Sequence, residues 1–327
     1  MPIIKTVNLT KEYKVHEKDP GFIASVKSLF SRKYKIVEAV KAINISIDEG
    51  ELVGFIGPNG AGKTTTLKML SGLLYPTNGT AQVMGFTPWQ RRKDFLKQFS
   101  LVMGQKAQLW WDLPLYDSLL LQRDIYEMTK PDFQNSLEEL VEMLELQKFL
   151  KTQVRKLSLG QRMRGELAAA FIYRPRVLFL DEPTIGLDIV VQKKVREFIK
   201  GYQQRYGATI ILTSHYLDDV SELCDRLIII DHGQKAFDGS TTELISTHID
   251  HKRIVLSFNK PVQKTDLSTY GKVIHYQPYK ATIQVERNQT TGQAAAMLTT
   301  LPVSDVSIEE PSLEDVAREL FTGHDYS

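Results

Sequence analysis

The residues Gly57-Pro58-Asn59-Gly60-Ala61-Gly62-Lys63-Thr64 have the types and spacing to hold a polyphosphate. The glycines let the backbone wrap tightly, so that successive N–H groups point at phosphate oxygens. Lys63 is long enough to reach the β- and γ-phosphates, and the Thr64 hydroxyl is a ligand for Mg²⁺. The flanks fit that chemistry. Residues 51–56 form an apolar run that reads as a buried strand, and Thr65 opens a helix over 65–70. A helix start there adds its positive dipole end to the phosphate site.

Two further constellations belong to the same chemistry. Val177-Leu-Phe-Leu-Asp181-Glu182-Pro183 reads as a buried strand with both carboxylates at its C-terminal end. In an open parallel sheet, ligands sit at that end. Asp181 is suited to hold Mg²⁺ directly or through water. Glu182 then points toward the γ-phosphate, where a carboxylate can polarise an attacking water. Leu157-Ser158-Leu159-Gly160-Gln161-Arg162 opens a helix predicted over 161–173. Ser158 and Gly160 at a helix N-terminus make a second anion site. Two anion sites with one nucleotide imply that the sites meet across two chains.

The elements that must position these groups alternate. Strands are expected at 3–9, 40–48, 51–56, 78–85, 99–104, 177–181, 209–213 and 227–231. Residues 116–128, 135–146, 161–173, 188–206 and 216–223 have helical periodicity. Strands and helices at this spacing predict an α/β fold with a parallel sheet and crossover helices. Phe22, Ile23, Val26, Leu29 and Phe30 recur at helical spacing ahead of basic residues 31–35, which predicts a short basic amphipathic helix. After Gly239 the pattern becomes short strands at 253–258, 272–276, 281–286 and 303–309, with helices at 290–301 and 312–320. That is a small α+β domain without a nucleotide motif.

Composition limits the function classes. A chain of 327 residues has a prior of about two domains. The net charge is +2, which gives no support for strong binding to a nucleic-acid backbone. One cysteine, Cys224, excludes a disulfide framework and reads as a small buried residue on a helix. No apolar run approaches the ~20 residues of a membrane helix, and the N-terminus lacks the apolar core of a secretory signal. Trp110 and Trp111 fit either a docking surface or core packing. The histidines other than His215 have no ligand spacing, and solvated or loop roles are expected for them. Residues 250–253 read as a solvated linker.

These motifs, in this order, resemble the ATP-binding subunit of an ABC transporter. The resemblance covers residues 3–240. Residues 57–64 are similar to its Walker A loop and 177–182 to its Walker B strand. Residues 157–161 resemble its LSGGQ signature, with Leu159 in place of a glycine. Gln105 matches the Q-loop glutamine, Gly186-Leu187-Asp188 the D-loop, and His215 the switch histidine. The resemblance implies a P-loop NTPase of ABC type, with a mixed sheet core in residues 1–240, an inserted segment at 14–38 and a helical subdomain at 106–176. Residues 241–327 would be the accessory or dimerisation domain. Two chains would sandwich two ATP molecules. Lys63 and Thr64 would bind phosphate and Mg²⁺, with Gln105 and Asp181 completing the metal environment. Glu182 would be the general base, and His215 would contact the γ-phosphate. Ser158, Gly160 and Gln161 would act on the other chain's nucleotide.

The family also stacks adenine on an aromatic residue ahead of the Walker loop. Tyr13 fits the local pattern, and Tyr34 competes because its spacing to Gly57 matches a chain without the insertion. The insertion resembles those of ATPases serving exporters of large lipid-linked or polysaccharide cargo, and residues 310–316 resemble the tail of ATPases paired with ABC-2-type permeases. The expected partner is such a permease, with export as the direction and the cytoplasmic face of the membrane as the location. The alternative is a soluble ABC-type ATPase acting on ribosomes or DNA. Such proteins usually carry paired ATPase units, long coiled coils or cysteine zinc sites, none of which is read in this chain, and no nucleic-acid partner is expected.

Overall fold

Inward residues Ile4, Thr6 and Leu9 are buried on β1 (Pro2–Glu17), the first strand of the computed structural model. The structure describes residues 2–17, 33–104, 108–214, 217–248 and 250–311, with Leu313 and Val316. β1 pairs antiparallel with β2 (Lys33–Ile43) and β3 (Ser46–Asp48). Residues 40–48 therefore form two strands rather than one. The break lies at Asn44 and Ile45, where side chains replace ladder bonds. Ile45 N donates to Thr6 Oγ1 at 2.9 Å, and Asn8 N donates to Asn44 Oδ1 at 2.9 Å. Residues 12–17 and 33–38 continue as a two-stranded ribbon. The two ends of the expected insertion are thus strands. Its predicted helix, around 22–30, lies outside the described residues.

β4 (Leu52–Ile56) leads into the phosphate loop and α1 (Lys63–Leu70), which starts two residues before the expected Thr65. β5 (Asn78–Val83) returns to pair with β1. α2 (Lys93–Leu96) and β6 (Phe99–Met103) follow, and then three helices, α3 (Leu115–Ile125), α4 (Lys130–Met143) and α5 (Leu159–Phe171). α4 begins five residues before the predicted 135. Thr129 Oγ1 accepts from Asp132 N, and Pro131 occupies the first turn, so cap and proline start the helix there. The chain closes the core with β7 (Val177–Asp181), α6 (Ile189–Tyr206), β8 (Thr209–Thr213), α7 (Leu217–Leu223), β9 (Arg226–Asp231) and β10 (Gln234–Ser240).

The six-stranded sheet has the order β10-β9-β4-β8-β7-β6. The pairs β4–β8, β4–β9, β6–β7 and β7–β8 are parallel. All residues of β7 and β8 are buried, as expected of strands covered on both faces, and this is why they read as unbroken apolar runs. Parallel pairing puts the C-terminal ends of β4, β8 and β7 side by side. The phosphate loop and the Asp181-Glu182 pair therefore flank Thr213, the last residue of β8.

The chain divides into two compact units, 1–238 and 239–327. The second contains α8 (Thr241–His248), β11 (His251–Phe258), α9 (Lys264–Leu267), β12 (Lys272–Gln277), β13 (Lys280–Glu286), α10 (Thr290–Thr300) and β14 (Val303–Glu309). Its antiparallel sheet runs β12-β13-β11-β14 around a core that includes Ile254, Leu256, Ile283 and Met297. Residues 251–253, expected as linker, are strand instead. The β13 pairing extends back to His251 opposite Glu286, and this buries the His251 side chain. Of the helix predicted at 312–320, only Leu313 and Val316 are described. Among the described residues, no helix is long and apolar enough to cross a membrane.

Candidate functional site

The phosphate loop fits its surroundings only because it has no side chains at two contacts. A Cβ on Gly57 would lie 2.0 Å from the Ile230 carbonyl oxygen at the end of β9. One on Gly62 would lie 2.4 Å from the Ala39 carbonyl oxygen, and Gly62 has φ +104°. The Lys63 side chain folds back over the loop. Its ammonium donates to the Gly57 and Pro58 carbonyls at 2.7 and 3.0 Å. Burial lowers the Lys63 pKa, and the charges of Glu182 and then Asp181 oppose that shift. Phosphate oxygens are stronger acceptors for this cation than neutral carbonyls.

Asp181 is nearly buried and is held at both oxygens. Thr64 Oγ1 donates to Oδ2 at 2.9 Å, and Thr213 Oγ1 donates to Oδ1 at 2.6 Å. A hydroxyl and a carboxylate this close form a hard-oxygen pair that fits Mg²⁺. Among the described residues no group of three His, Cys, Asp or Glu could hold a metal. Such an ion would be held by Thr64 and Asp181 together with phosphate oxygens. Glu182 leaves the strand at φ +57°, and its N–H donates to both the carbonyl and the hydroxyl of Thr213 at 3.1 Å. Its residue lines the same cavity of about 160 Å³ as residues 59–65 and Ala39. Pro58, Asn59, Gly60, Ala61, Thr64 and Thr65 all belong to this loop and first turn, as the sequence implied. A larger cavity of about 430 Å³, lined by Leu73, Phe99, Met103 and Tyr126 among others, has no carboxylate in its lining and none of the loop residues.

Ser158 caps α5, which starts at Leu159 rather than the predicted 161. Gln161 N donates to Ser158 Oγ at 3.2 Å, and Ser158 N donates to Gln161 Oε1 at 3.0 Å. This capping box satisfies two free N–H groups and extends the helix backward. The Ser158 hydroxyl proton remains a donor. Ser158, Gly160 and Gln161 are not in the lining of this chain's own phosphate-loop cavity. Leu159, where the family has glycine, reaches Gly186 of the D-loop. Its Cδ2 lies 3.1 Å from where a Gly186 Cβ would sit.

The two candidate adenine platforms separate in register. Tyr13 pairs with Val37, two residues from cavity-lining Ala39. Tyr34 pairs with His16, on the opposite face of the ribbon and five residues from Ala39, or about 16 Å along an extended strand. Gln105 and His215 lie outside the described residues. The residue before Gln105 is anchored, since Gly104 N donates to Asp181 O at 2.8 Å. Trp110 and Trp111 are exposed by 61 % and 52 %, which excludes core packing for both. Thr213 and Ala39 are site residues that pattern reasoning did not single out. The only available signal for Thr213 was a hydroxyl ending an apolar strand.

The ABC transporter family model matches residues 40–185, and that of the EvrA-like ABC transporter C-terminal domain matches 250–309. The Nod factor export ATP-binding protein I of Rhizobium sp. (strain N33) is 32 % identical over 304 residues, 90 % of this chain and 94 % of that one. The chain belongs to the ATP-binding proteins of ABC transporters. Bacitracin transport ATP-binding protein BcrA of Bacillus licheniformis is 34 % identical over 232 residues, covering 71 % of this chain and 68 % of that protein. Among solved structures, a dimeric ATP-binding cassette in a post-hydrolysis state with ADP and Pi is 25 % identical, with a TM-score of 0.61. It is matched over 98 % of its length by 72 % of this chain. This ABC ATPase is an ATP hydrolase with a mixed α/β core of the cassette type.

Proposed function

We propose that this ABC ATPase homodimerises around two ATP molecules and drives a separate ABC-2-type permease in export, from the cytoplasmic face of the membrane. One observation carries the direction. The relative matched along 90 % of the chain, across both units, is named for export. The signature residues being absent from the lining of their own cavity supports a second chain that supplies them. The exposed Trp110 and Trp111 fit a permease-docking surface.

In the proposed mechanism Lys63 and the loop N–H groups hold the β- and γ-phosphates. Thr64, Asp181 and Gln105 hold Mg²⁺. When bound, Mg²⁺ neutralises phosphate charge and eases departure of the leaving group. Tyr13 stacks on adenine. Glu182 takes a proton from the attacking water, and His215 orients the γ-phosphate. Ser158, Gly160 and Gln161 approach the γ-phosphate from the opposite chain. Hydrolysis removes the group that bridges the chains, so the sandwich opens.

The test is Glu182→Gln. The variant is expected to bind ATP, to hydrolyse it at least about a hundredfold more slowly, and to run as a dimer with ATP in light scattering. Recovered from detergent-solubilised native membranes, it is expected to carry a stoichiometric polytopic membrane protein. Ribosomal or DNA-repair proteins in its place would overturn the transporter assignment. A monomer at saturating ATP would overturn the sandwich.

A further inference from the structure

Gly233 sits in a tight turn that the mechanism above does not use. His232 and Gly233 join β9 to β10, which are neighbours in the six-stranded sheet. Both have positive φ, +45° and +80°, the backbone of the turns that match the twist of a hairpin. Such a turn needs a residue that tolerates a left-handed backbone, and Asn would serve as well as Gly. Space narrows the choice further. A Cβ on Gly233 would lie 3.0 Å from the Ala39 carbonyl oxygen, 3.2 Å from the Ala39 carbonyl carbon and 3.3 Å from Val40 Cα. The turn is thus pressed against the same Ala39 carbonyl that leaves no room for a side chain on Gly62.

Both backbone polar groups of Gly233 are engaged. Its N–H donates to the Ala61 carbonyl of the phosphate loop at 3.1 Å, and its carbonyl accepts from Lys41 N on β2 at 2.7 Å. The first bond sets the direction of a group in the loop. The Ala61 C=O and the Gly62 N–H belong to one planar trans peptide, so they point in opposite directions. Drawing the carbonyl toward the turn directs the Gly62 N–H away from it. Gly62 caps α1 and lines the cavity with Asn59, Lys63 and Thr64. Gly57, at the start of the loop, is pressed against Ile230 near the end of β9. The end of β9 and its turn therefore back the loop at both ends.

We propose that Gly233 is a positioning residue: by holding the Ala61 carbonyl, it aims the Gly62 N–H at the phosphates before ATP arrives. The proposal rests on the phosphate loop holding ATP. A donor already aimed needs no ordering when the ligand binds. A hairpin that only joined two strands would need neither the missing Cβ nor the bond to Ala61.

The experiment compares Gly233→Ala with Gly207→Ala in the full chain. Gly207, which ends α6, also has a left-handed φ, +60°, but a Cβ there meets nothing within 4 Å. Both substitutions force an L-residue into the left-handed region, so both should lower the urea midpoint. Only Gly233→Ala should pull the turn away from Ala61. Its affinity for a fluorescent ATP analogue should fall at least about fivefold, the scale of one hydrogen bond. KM for ATP should rise with it, while kcat at saturating ATP stays within about threefold, because the lost contact serves ground state and transition state alike. Gly207→Ala should keep affinity and KM within about twofold. Gly233→Asn eases the backbone strain but brings the same Cβ. It should give the same split, and it serves if Gly233→Ala does not fold. Wild-type affinity and KM in the Gly233 variant that folds would overturn the proposal. An equal loss of affinity in Gly207→Ala would also overturn it, since general destabilisation would then account for the effect. A wild-type chain that binds no ATP analogue would instead overturn the functional assignment itself.

Discussion

The buried Asp181 carboxyl is hydrogen-bonded at both oxygens, Oδ2 by the Thr64 hydroxyl and Oδ1 by that of Thr213. Removing the Thr213 donor leaves a buried acceptor and also takes one bond from the Glu182 N–H. Thr213→Val should therefore cost about 1–3 kcal/mol in urea denaturation and slow hydrolysis as well. Unchanged stability would show that water replaces the hydroxyl. Gly62 is limited by conformation and by space. Gly62→Ala requires φ near +104° and a Cβ 2.4 Å from the Ala39 carbonyl oxygen. A left-handed conformation alone costs an L-residue roughly 1–2 kcal/mol, so ATP affinity by titration calorimetry should fall at least about tenfold.

Ser158 caps α5 and, in the proposed sandwich, would also donate to the opposite chain's phosphate; two substitutions separate these roles. Ser158→Ala loses the capping box and should cost about 1 kcal/mol of stability. Ser158→Asp keeps a good cap, so thermal stability should hold, while a carboxylate facing the partner's γ-phosphate should suppress hydrolysis. Retained activity in Ser158→Asp would remove Ser158 from the nucleotide contact. Another element-level tie joins the end of α3 to α2, where Glu127 meets Lys93 and Lys97. The hydrogen bond from Lys93, then that from Lys97, holds the exposed Glu127 carboxyl down at about 2 against an ordinary 4.5. A depressed carboxyl pKa stabilises above the unfolded value and loses that contribution as pH falls from about 4.5 toward about 2. The melting-temperature gap between wild type and Glu127→Gln should close over that window. It should also shrink at high salt, since exposed pairs are screened.

At the scale of the whole molecule, the cavity around the phosphate loop is lined entirely by residues of the first unit. A chain ending at Ser240 should therefore bind ATP within about twofold of the full chain, on the view that binding energy resides in direct contacts. Two roles for residues 241–327 then give different results in sedimentation and ATPase assays. Weaker ATP-dependent dimers would assign them to dimerisation. Unchanged dimer affinity with altered basal hydrolysis would assign them to regulation.

The phosphate loop, the Asp181-Glu182 strand and the Ser158 helix start were legible in the sequence because each is a contiguous segment whose local residues dictate its backbone. Glycine conformations, an apolar strand run and a cap are properties of a few neighbouring residues. The period-2 pattern of the second unit was readable for the same reason. The break at Asn44 was not, because it depends on Thr6 and Asn8 in a neighbouring strand. The strand at His251 depends on pairing with Glu286, which is distant in sequence. Register alone separates Tyr13 from Tyr34, since spacing along the chain cannot reveal which face of a ribbon a side chain takes. Thr213 and Gly233 became significant only when β8 met β7 and the turn after β9 met Ala61. Sequence by itself determined which chemistry the chain carries. Tertiary structure decided which distant hydroxyls and amides hold Asp181 and the phosphate loop, because such bonds form between segments that only folding brings within 3 Å or so of each other.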